Sequence, residues 1–119
     1  MAHEMTGEMQ SCIDECLECH RICVETAAHC LALGGKHAEA DHITALLDGA
    51  EICQTSANFM LRGSPDHGKT CGVCAKVCDR CADSCESMGE EDDLMRRCAQ
   101  TCRTCAESCR EMAGTKSRA

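Results

Sequence analysis

The sequence predicts an all-α protein, an antiparallel up-down-up-down four-helix bundle with a Cys-lined core. Fifteen of the 119 residues are cysteines, and they recur at steps of three and four residues, the spacing of one helix face. Three short breaks cut the chain into four segments, and short connections make consecutive helices antiparallel neighbours. We therefore expect a single domain over residues 1–119, with helices over about 4–33, 37–62, 65–88 and 91–113.

The breaks contain residues that are typical of helix ends. Gly34 and Gly63 suit the left-handed position that follows a helix. Ser64 followed by Pro65 is typical of a helix start. The acidic run over residues 90–93 suits the N-terminus of the fourth helix, where the helix dipole is positive. Apolar residues nowhere alternate with period two, so the sequence gives almost no support to β structure.

The first two segments each place one row of side chains toward the predicted core. In the first segment the row advances by alternating steps of four and three residues, and Cys30 falls on the same face. Its members are Met5, Met9, Cys12, Cys16, Cys19, Cys23 and Cys30. The second segment keeps the face but carries one thiol. We expect its inner row to be His42, Leu46, Ala50, Cys53, Ala57 and Met60.

The third and fourth segments carry the most regular rows. The row of the third segment is His67, Cys71, Cys74, Cys78, Cys81, Cys85 and Met88. The row of the fourth segment is Met95, Cys98, Cys102, Cys105, Cys109 and Met112. These spacings are those of the a and d positions of a bundle, so the four rows are expected to face one another.

The predicted core consists largely of sulfur. Ile, Leu, Val and Phe together number 15, which is below the roughly 20% under which a charged chain is expected to stay disordered. A free Cys, however, behaves as a small buried hydrophobe. A disulfide framework is disfavoured, because the number of cysteines is odd and thiols along one helix face point in nearly parallel directions.

A second apolar row runs along the first two segments. It either seals these two helices together or forms an oligomer interface, and the sequence leaves both possibilities open. Its members are Ile13, Leu17, Val24, Leu31, Ile43, Leu47 and Leu61.

Rows of buried thiols indicate a soft metal, and their spacing favours Cu(I). Thiolates select Cu(I), zinc or iron–sulfur clusters. Tetrahedral zinc needs four ligands that converge on one point, whereas thiols one turn apart along a helix suit an ion that accepts two or three sulfurs. About fifteen monovalent ions would also neutralise fifteen buried thiolates. Two alternatives stay open. One is an iron–sulfur or dithiol redox protein, although no Cys precedes Pro as it does in bacterial ferredoxins. The other is a zinc-stabilised structural bundle.

Weaker ligands are expected to cap both ends of the thiol rows. Helices that alternate in direction bring Met5, Met9, Met60, His67 and Met112 to one mouth, and His42, Met88 and Met95 to the other. Such ligands bind metal more weakly than thiolates and exchange it faster, as uptake requires. Met at a helical core position is also typical of plain packing.

The thiol motifs resemble those of the bacterial four-helix-bundle copper storage proteins. The resemblance rests on "CIDECLECHRIC", "CGVCAKVCDRCADSC" and "CAQTCRTCAESC" and spans nearly the whole chain. It implies storage of many Cu(I) ions per bundle, bound mainly by pairs of Cys, and assembly as a homotetramer. Because no leader is visible, the chain is similar to the cytosolic branch, so a cytoplasmic location is expected. The single thiol of the second segment, Cys53, departs from the family pattern and implies a lower capacity.

Charge and motifs argue against several other functions. The net charge of −8 is spread along the chain with no basic block, which disfavours binding to nucleic acid or to an anionic membrane. We expect no enzyme, because no nucleophile stands beside a base and an orienting third group. Cys19 and His20, for example, point to different faces of one helix.

Overall fold

The computed structural model describes residues 5–89 and 91–114 and confirms the predicted fold class. Four helices follow one another, α1 (Gly7–Leu33), α2 (Ala40–Leu61), α3 (His67–Ser87) and α4 (Asp93–Gly114). Helix α1 packs against α2 and α4, and α3 packs against the same two neighbours, as in an up-down-up-down bundle. The bundle is a rod with extents of 52 × 18 × 17 Å.

The connection between α1 and α2 is longer than the sequence predicts. Gly34 ends α1 with a φ of 76°, a conformation that favours glycine, and its N–H donates to the carbonyl of Cys30. The residues Gly35–Ala38 then form one 3₁₀ turn. Helix α2 therefore begins at Ala40 instead of residue 37.

Side-chain caps begin α1 and α4, whereas a turn precedes α3. Thr6 caps α1, because its hydroxyl accepts a hydrogen bond of 3.0 Å from the N–H of Met9. The backbone around Ser64 forms a turn, so α3 begins at His67 and not at residue 65. Asp92 accepts a 3.0 Å hydrogen bond from the N–H of Met95 at the start of α4. Residue 4, the expected start of the first helix, and Glu90 lie outside the described residues.

Small side chains let α3 and α4 approach each other closely. An Ala follows an inward Cys once per seven residues on both helices, and all four are at most 5% exposed: Ala75, Ala82, Ala99 and Ala106. Outside this seam, the guanidinium of Arg103 on α4 contacts carboxylates of Asp79 at 3.0 Å, Asp83 at 2.6 Å and Glu86 at 2.9 Å on α3. Exposed ion pairs contribute at most about 1 kcal/mol each, so this network mainly aligns the two helices.

The second apolar row of α1 and α2 is buried at some positions and exposed at others. Ile13 is 4% exposed and Ile43 is partly buried against the core, so both help to seal the helix pair. The remaining members of this row are at least 37% exposed: Leu17, Val24, Leu31, Leu47 and Leu61. Among the described helices, none combines the length and apolar character that crossing a bilayer requires.

Candidate metal centre

All fifteen Cys side chains are free thiols buried along the bundle axis, and none is more than 1% exposed. They form the centre of the core together with a few larger side chains, of which Leu46, Met60, Met95 and His42 are the largest fully buried ones. No Lys or Arg is buried among the described residues. Since no described Lys or Arg lies in the core, thiolates there can be neutralised by protons or by bound metal ions.

Most of the thiols meet in four groups, within each of which all sulfur atoms lie within 4.8 Å of one another. Three groups contain four thiols and one contains three. Along the axis they are Cys12, Cys71 and Cys109; Cys16, Cys74, Cys105 and Cys109; Cys19, Cys53, Cys78 and Cys105; and Cys23, Cys81, Cys98 and Cys102. Adjacent groups that share Cys105 or Cys109 are therefore connected, which gives a metal ion successive thiol sites along the tube.

At the first mouth, the three-thiol group adjoins a thioether and a histidine. The Sδ atom of Met60 lies 3.8 Å from the Sγ atom of Cys71. The Nδ1 atom of His67 lies 3.0 Å from the carbonyl oxygen of Ser64, so that ring nitrogen donates a hydrogen bond. The Nε2 atom of His67 is buried and has no hydrogen-bond partner among the described residues. A buried nitrogen with a free lone pair suits a metal ligand.

The methionines predicted for the first mouth differ in burial. Met60 is 0% exposed and Met112 is 5% exposed, whereas Met5 and Met9 are partly buried and pack against the core. The first turn of α3 approaches the end of α4, since a Cβ atom added at Gly68 would lie 3.8 Å from the carbonyl oxygen of Met112. The antiparallel packing thus brings α3's start and α4's end to one mouth.

At the second mouth, Cys30 pairs with a histidine instead of with other thiols. The Sγ atom of Cys30 lies 3.4 Å from Nε2 of His42, whose Nδ1 lies 2.7 Å from the hydroxyl of Ser84. Burial raises the pKa of Cys30 to about 11, and the negative charge of the Asp92 carboxylate makes a smaller contribution in the same direction. Burial also lowers the pKa of His42, which favours the neutral ring, the form that binds metal. Cys30 and His42 together offer one sulfur and one nitrogen ligand at this mouth.

The remaining predicted ligands lie near this second mouth. Met95 is 0% exposed, and Met88 is partly buried against the core. Cys85 and Met95 line a surface pocket of about 390 Å³ between α3 and α4. Cys30 and Cys85 are the two thiols that belong to none of the four groups.

Neighbouring thiols favour deprotonation of some group members. Hydrogen bonds from Cys102, and then from Cys23 and Cys85, lower the pKa of Cys81 to about 6, against the effect of burial. A thiolate is the form that binds metal, and metal binding releases the protons of the other thiols. Contacts among the thiols therefore favour the form of Cys81 that binds a soft cation.

The predicted α2 row is buried, with Ala50 4% and Ala57 0% exposed, but the prediction left out two further buried positions. A Cβ atom added at Gly49 would lie 3.3 Å from Cys23 Sγ, so Gly49 faces the thiols. Ser56 is 0% exposed, and its hydroxyl has no hydrogen-bond partner among the described residues. The unbroken four-three alternation through His42, Leu46, Gly49, Cys53, Ser56 and Met60 would have identified both positions. Thr26, which continues the α1 row between Cys23 and Cys30, was missed in the same way.

A four-helix bundle with a column of free thiols along its axis defines a thiolate-lined metal store. A family profile described as copper storage protein matches residues 5–114. The chain therefore belongs to the copper storage protein family, as the thiol motifs predicted.

Solved structures agree with this assignment. A protein of Nitrosospira multiformis is 56% identical, with a TM-score of 0.82 over 89% of this chain and 94% of that chain. The Cu(I)-bound copper storage protein BsCsp3 is 31% identical, with a TM-score of 0.83 over 90% of this chain and 99% of that chain. A cytosolic copper storage protein from Streptomyces lividans is 26% identical, with a TM-score of 0.73 over 91% of this chain and 93% of that chain. A comparison with curated protein sequences gives no match.

Proposed function

We propose that this protein is a non-enzymatic store and buffer that holds many Cu(I) ions inside one bundle. The observation that carries the proposal is the column of fifteen buried free thiols, beside which no Lys or Arg of residues 5–89 and 91–114 is buried. A full set of thiolates there needs about one positive charge per sulfur, and a monovalent soft ion supplies it. The Cu(I)-bound BsCsp3, which has the same fold, supports this choice of ion.

We infer that all fifteen Cys bind copper and that the two mouths exchange it. The cysteines are Cys12, Cys16, Cys19, Cys23, Cys30, Cys53, Cys71, Cys74, Cys78, Cys81, Cys85, Cys98, Cys102, Cys105 and Cys109. At one mouth His67, Met5, Met9, Met60 and Met112 pass ions to the three-thiol group. At the other, His42, Met88 and Met95 hold ions more weakly than the thiolates do.

The alternatives fit the geometry less well. A [4Fe–4S] cube holds its Cys sulfurs apart, on the outside of the cube, whereas these thiols contact one another at the bundle axis. Enzymatic dithiol chemistry needs a sulfur that a substrate can reach, and every Cys here is at most 1% exposed. These two observations support storage over redox catalysis.

A cytoplasmic homotetramer is the assembly that we propose. The cytosolic copper storage protein of Streptomyces lividans supports the location. The exposed apolar side chains on α1 and α2, including Leu17, Val24 and Leu47, form a surface that a second copy of the chain would cover. Sedimentation equilibrium of the reduced apo protein measures its mass directly, and a monomer at micromolar concentration would reject the tetramer.

Anaerobic titration of the reduced apo protein with Cu(I), against a competing chelator, tests the storage function. We expect saturation near one ion per thiol, about 15 ions per chain, because each added monovalent charge neutralises one buried thiolate. A protein purified with iron and sulfide, or saturated by a few copper ions, would contradict storage.

The rate of the same loading reaction tests the first mouth. His67→Ala should slow Cu(I) uptake with little change in the final number of ions, because the His67 side chain binds only at the mouth. His37→Ala is the matched control, since His37 lies in the 3₁₀ turn near the opposite end. Equal rates for both variants would remove His67 from the uptake route.

A further inference from the structure

Several sulfur–sulfur distances within the thiol groups match those of a tetrahedral metal site. A zinc–sulfur bond of about 2.3 Å places the four sulfurs of a tetrahedron about 3.8 Å apart. Around the Sγ atom of Cys23, the sulfurs of Cys81, Cys98 and Cys102 lie at 3.9, 3.9 and 3.7 Å. Four thiols from three helices therefore converge on one point, which spacing along a single helix does not reveal.

The other two four-thiol groups have similar spacing and share one sulfur. In the first, Cys16 lies 3.7 Å from Cys105 and 3.6 Å from Cys109. In the second, Cys53 lies 3.5 Å from Cys78 and 3.9 Å from Cys105. Because Cys105 belongs to both groups, its thiolate would bridge two ions that have seven thiols in all. The group around Cys23 shares no thiol with any other group.

We propose that, in the absence of copper, the bundle binds divalent d¹⁰ cations, Zn(II) or its analogue Cd(II), at three tetrathiolate sites. One site is mononuclear, at Cys23, Cys81, Cys98 and Cys102. The other two form a dinuclear cluster bridged by Cys105. The proposal gives the bundle a second cargo, and it does not rest on Cu(I) storage.

Charge makes the divalent ions the weaker cargo. A divalent ion among four thiolates leaves a net charge of −2, and two such ions among seven thiolates leave −3. No buried Lys or Arg among the described residues offsets these charges. Monovalent ions at one per thiolate leave no net charge, so Cu(I) should displace the divalent ions on titration. The divalent ions would thus occupy the thiol groups before the bundle is loaded with copper.

Cadmium is the probe that separates the three sites. The reduced protein, titrated anaerobically with Cd(II), should develop the ultraviolet charge-transfer band of cadmium thiolates, and the increase should stop at about three ions per chain. The ¹¹³Cd NMR spectrum should then contain three resonances in the tetrathiolate region. Two of them should show ¹¹³Cd–¹¹³Cd coupling through the shared sulfur of Cys105, and the third should be uncoupled.

Single thiol variants assign these resonances. Cys102→Ser should remove the uncoupled resonance and leave the coupled pair, whereas Cys105→Ser should abolish the coupling. Cys30→Ser is the matched control, because Cys30 is equally buried but belongs to none of the groups. It should keep all three resonances. Circular dichroism of each apo variant verifies that it is folded. The ¹¹³Cd NMR spectrum of the unchanged protein tests the proposal without any variant.

Several outcomes would overturn the inference. These are an absence of tetrathiolate resonances, a stoichiometry far from three, or three resonances without coupling. Cd(II) should displace bound Zn(II), because it is the softer ion, and added Cu(I) should release both. If Cu(I) loads fully while Cd(II) does not bind, the inference fails and the storage function stands. If Cd(II) binds as described while Cu(I) does not load, the storage function fails and the inference stands.

Discussion

Full loading with Cu(I) is expected to raise the midpoint of thermal unfolding by at least about 30 °C. An ion at a free concentration of one thousand times its dissociation constant stabilises the folded state by about 4 kcal/mol, and each kcal/mol shifts the midpoint by roughly 3 °C in a domain of this size. Three such ions are enough for the expected shift, and the thiol column offers many more sites. Calorimetry of the apo and loaded forms under anaerobic, reducing conditions measures the difference.

The apo protein should already be helical, which distinguishes it from a zinc finger. The thiols occupy core positions of continuous helices, and protonated Cys packs as a small apolar residue. Mg²⁺ at the same concentration is the control, because a hard cation prefers oxygen ligands and should leave the midpoint unchanged. A random-coil circular dichroism spectrum of the reduced apo form, or equal midpoints for the apo and loaded forms, would contradict this prediction.

The fold could be predicted because one signal is repeated along almost the entire chain. The four-three spacing of Cys on α1, α3 and α4 defines both helical structure and the buried face. On α2 the signal is weaker, because Cys53 is its one thiol and the predicted Ala50 and Ala57 share the buried face with Gly49 and Ser56. With a single thiol on this helix, the spacing did not reveal that Gly49 also faces Cys23.

The convergence of thiols into groups could not be predicted from spacing alone. It depends on how far each helix is shifted along the axis relative to its neighbours. That shift is set by features such as the 3₁₀ turn before α2 and the contact of Arg103 with Asp79 across α3 and α4. The spacing along any one helix places its thiols a turn apart and therefore argues against four-ligand sites. In the bundle, α4 contributes both Cys98 and Cys102 to one group, and two other helices complete it.

The partners of the mouth histidines were also beyond sequence reasoning. His42 and Ser84 are far apart in the chain and meet because α2 and α3 are antiparallel neighbours. His67 was predicted from its place at the start of the α3 row, but its free Nε2 depends on the turn that brings the carbonyl of Ser64 to Nδ1. Row position therefore predicts which side chains point inward, whereas the turns determine which of their atoms are available to a metal.

Replacement of Leu46 by Ala is expected to lower the free energy of unfolding of the apo protein by about 2 to 5 kcal/mol. Leu46 has the largest of the fully buried side chains, in a core composed mainly of Cys and Ala. Such small neighbours have few rotamers with which to fill the space that Leu46 would leave, so most of the cavity should persist. Since small domains are stable by only about 5 to 15 kcal/mol, this loss is a large fraction of the total.

Urea unfolding of the reduced apo protein measures this loss, and Leu33→Ala is the matched control. The two changes remove the same atoms, but Leu33 is 51% exposed at the last residue of α1, so its replacement should cost only a few tenths of a kcal/mol. A cost below about 1 kcal/mol for Leu46→Ala would show that the thiols repack around the cavity. Because Leu46 supplies no ligand atom, a folded Leu46→Ala protein should keep the Cu(I) capacity of the unchanged chain. Leu46 would then contribute to the stability of the apo fold without contributing to metal binding, which the thiols of the same core provide.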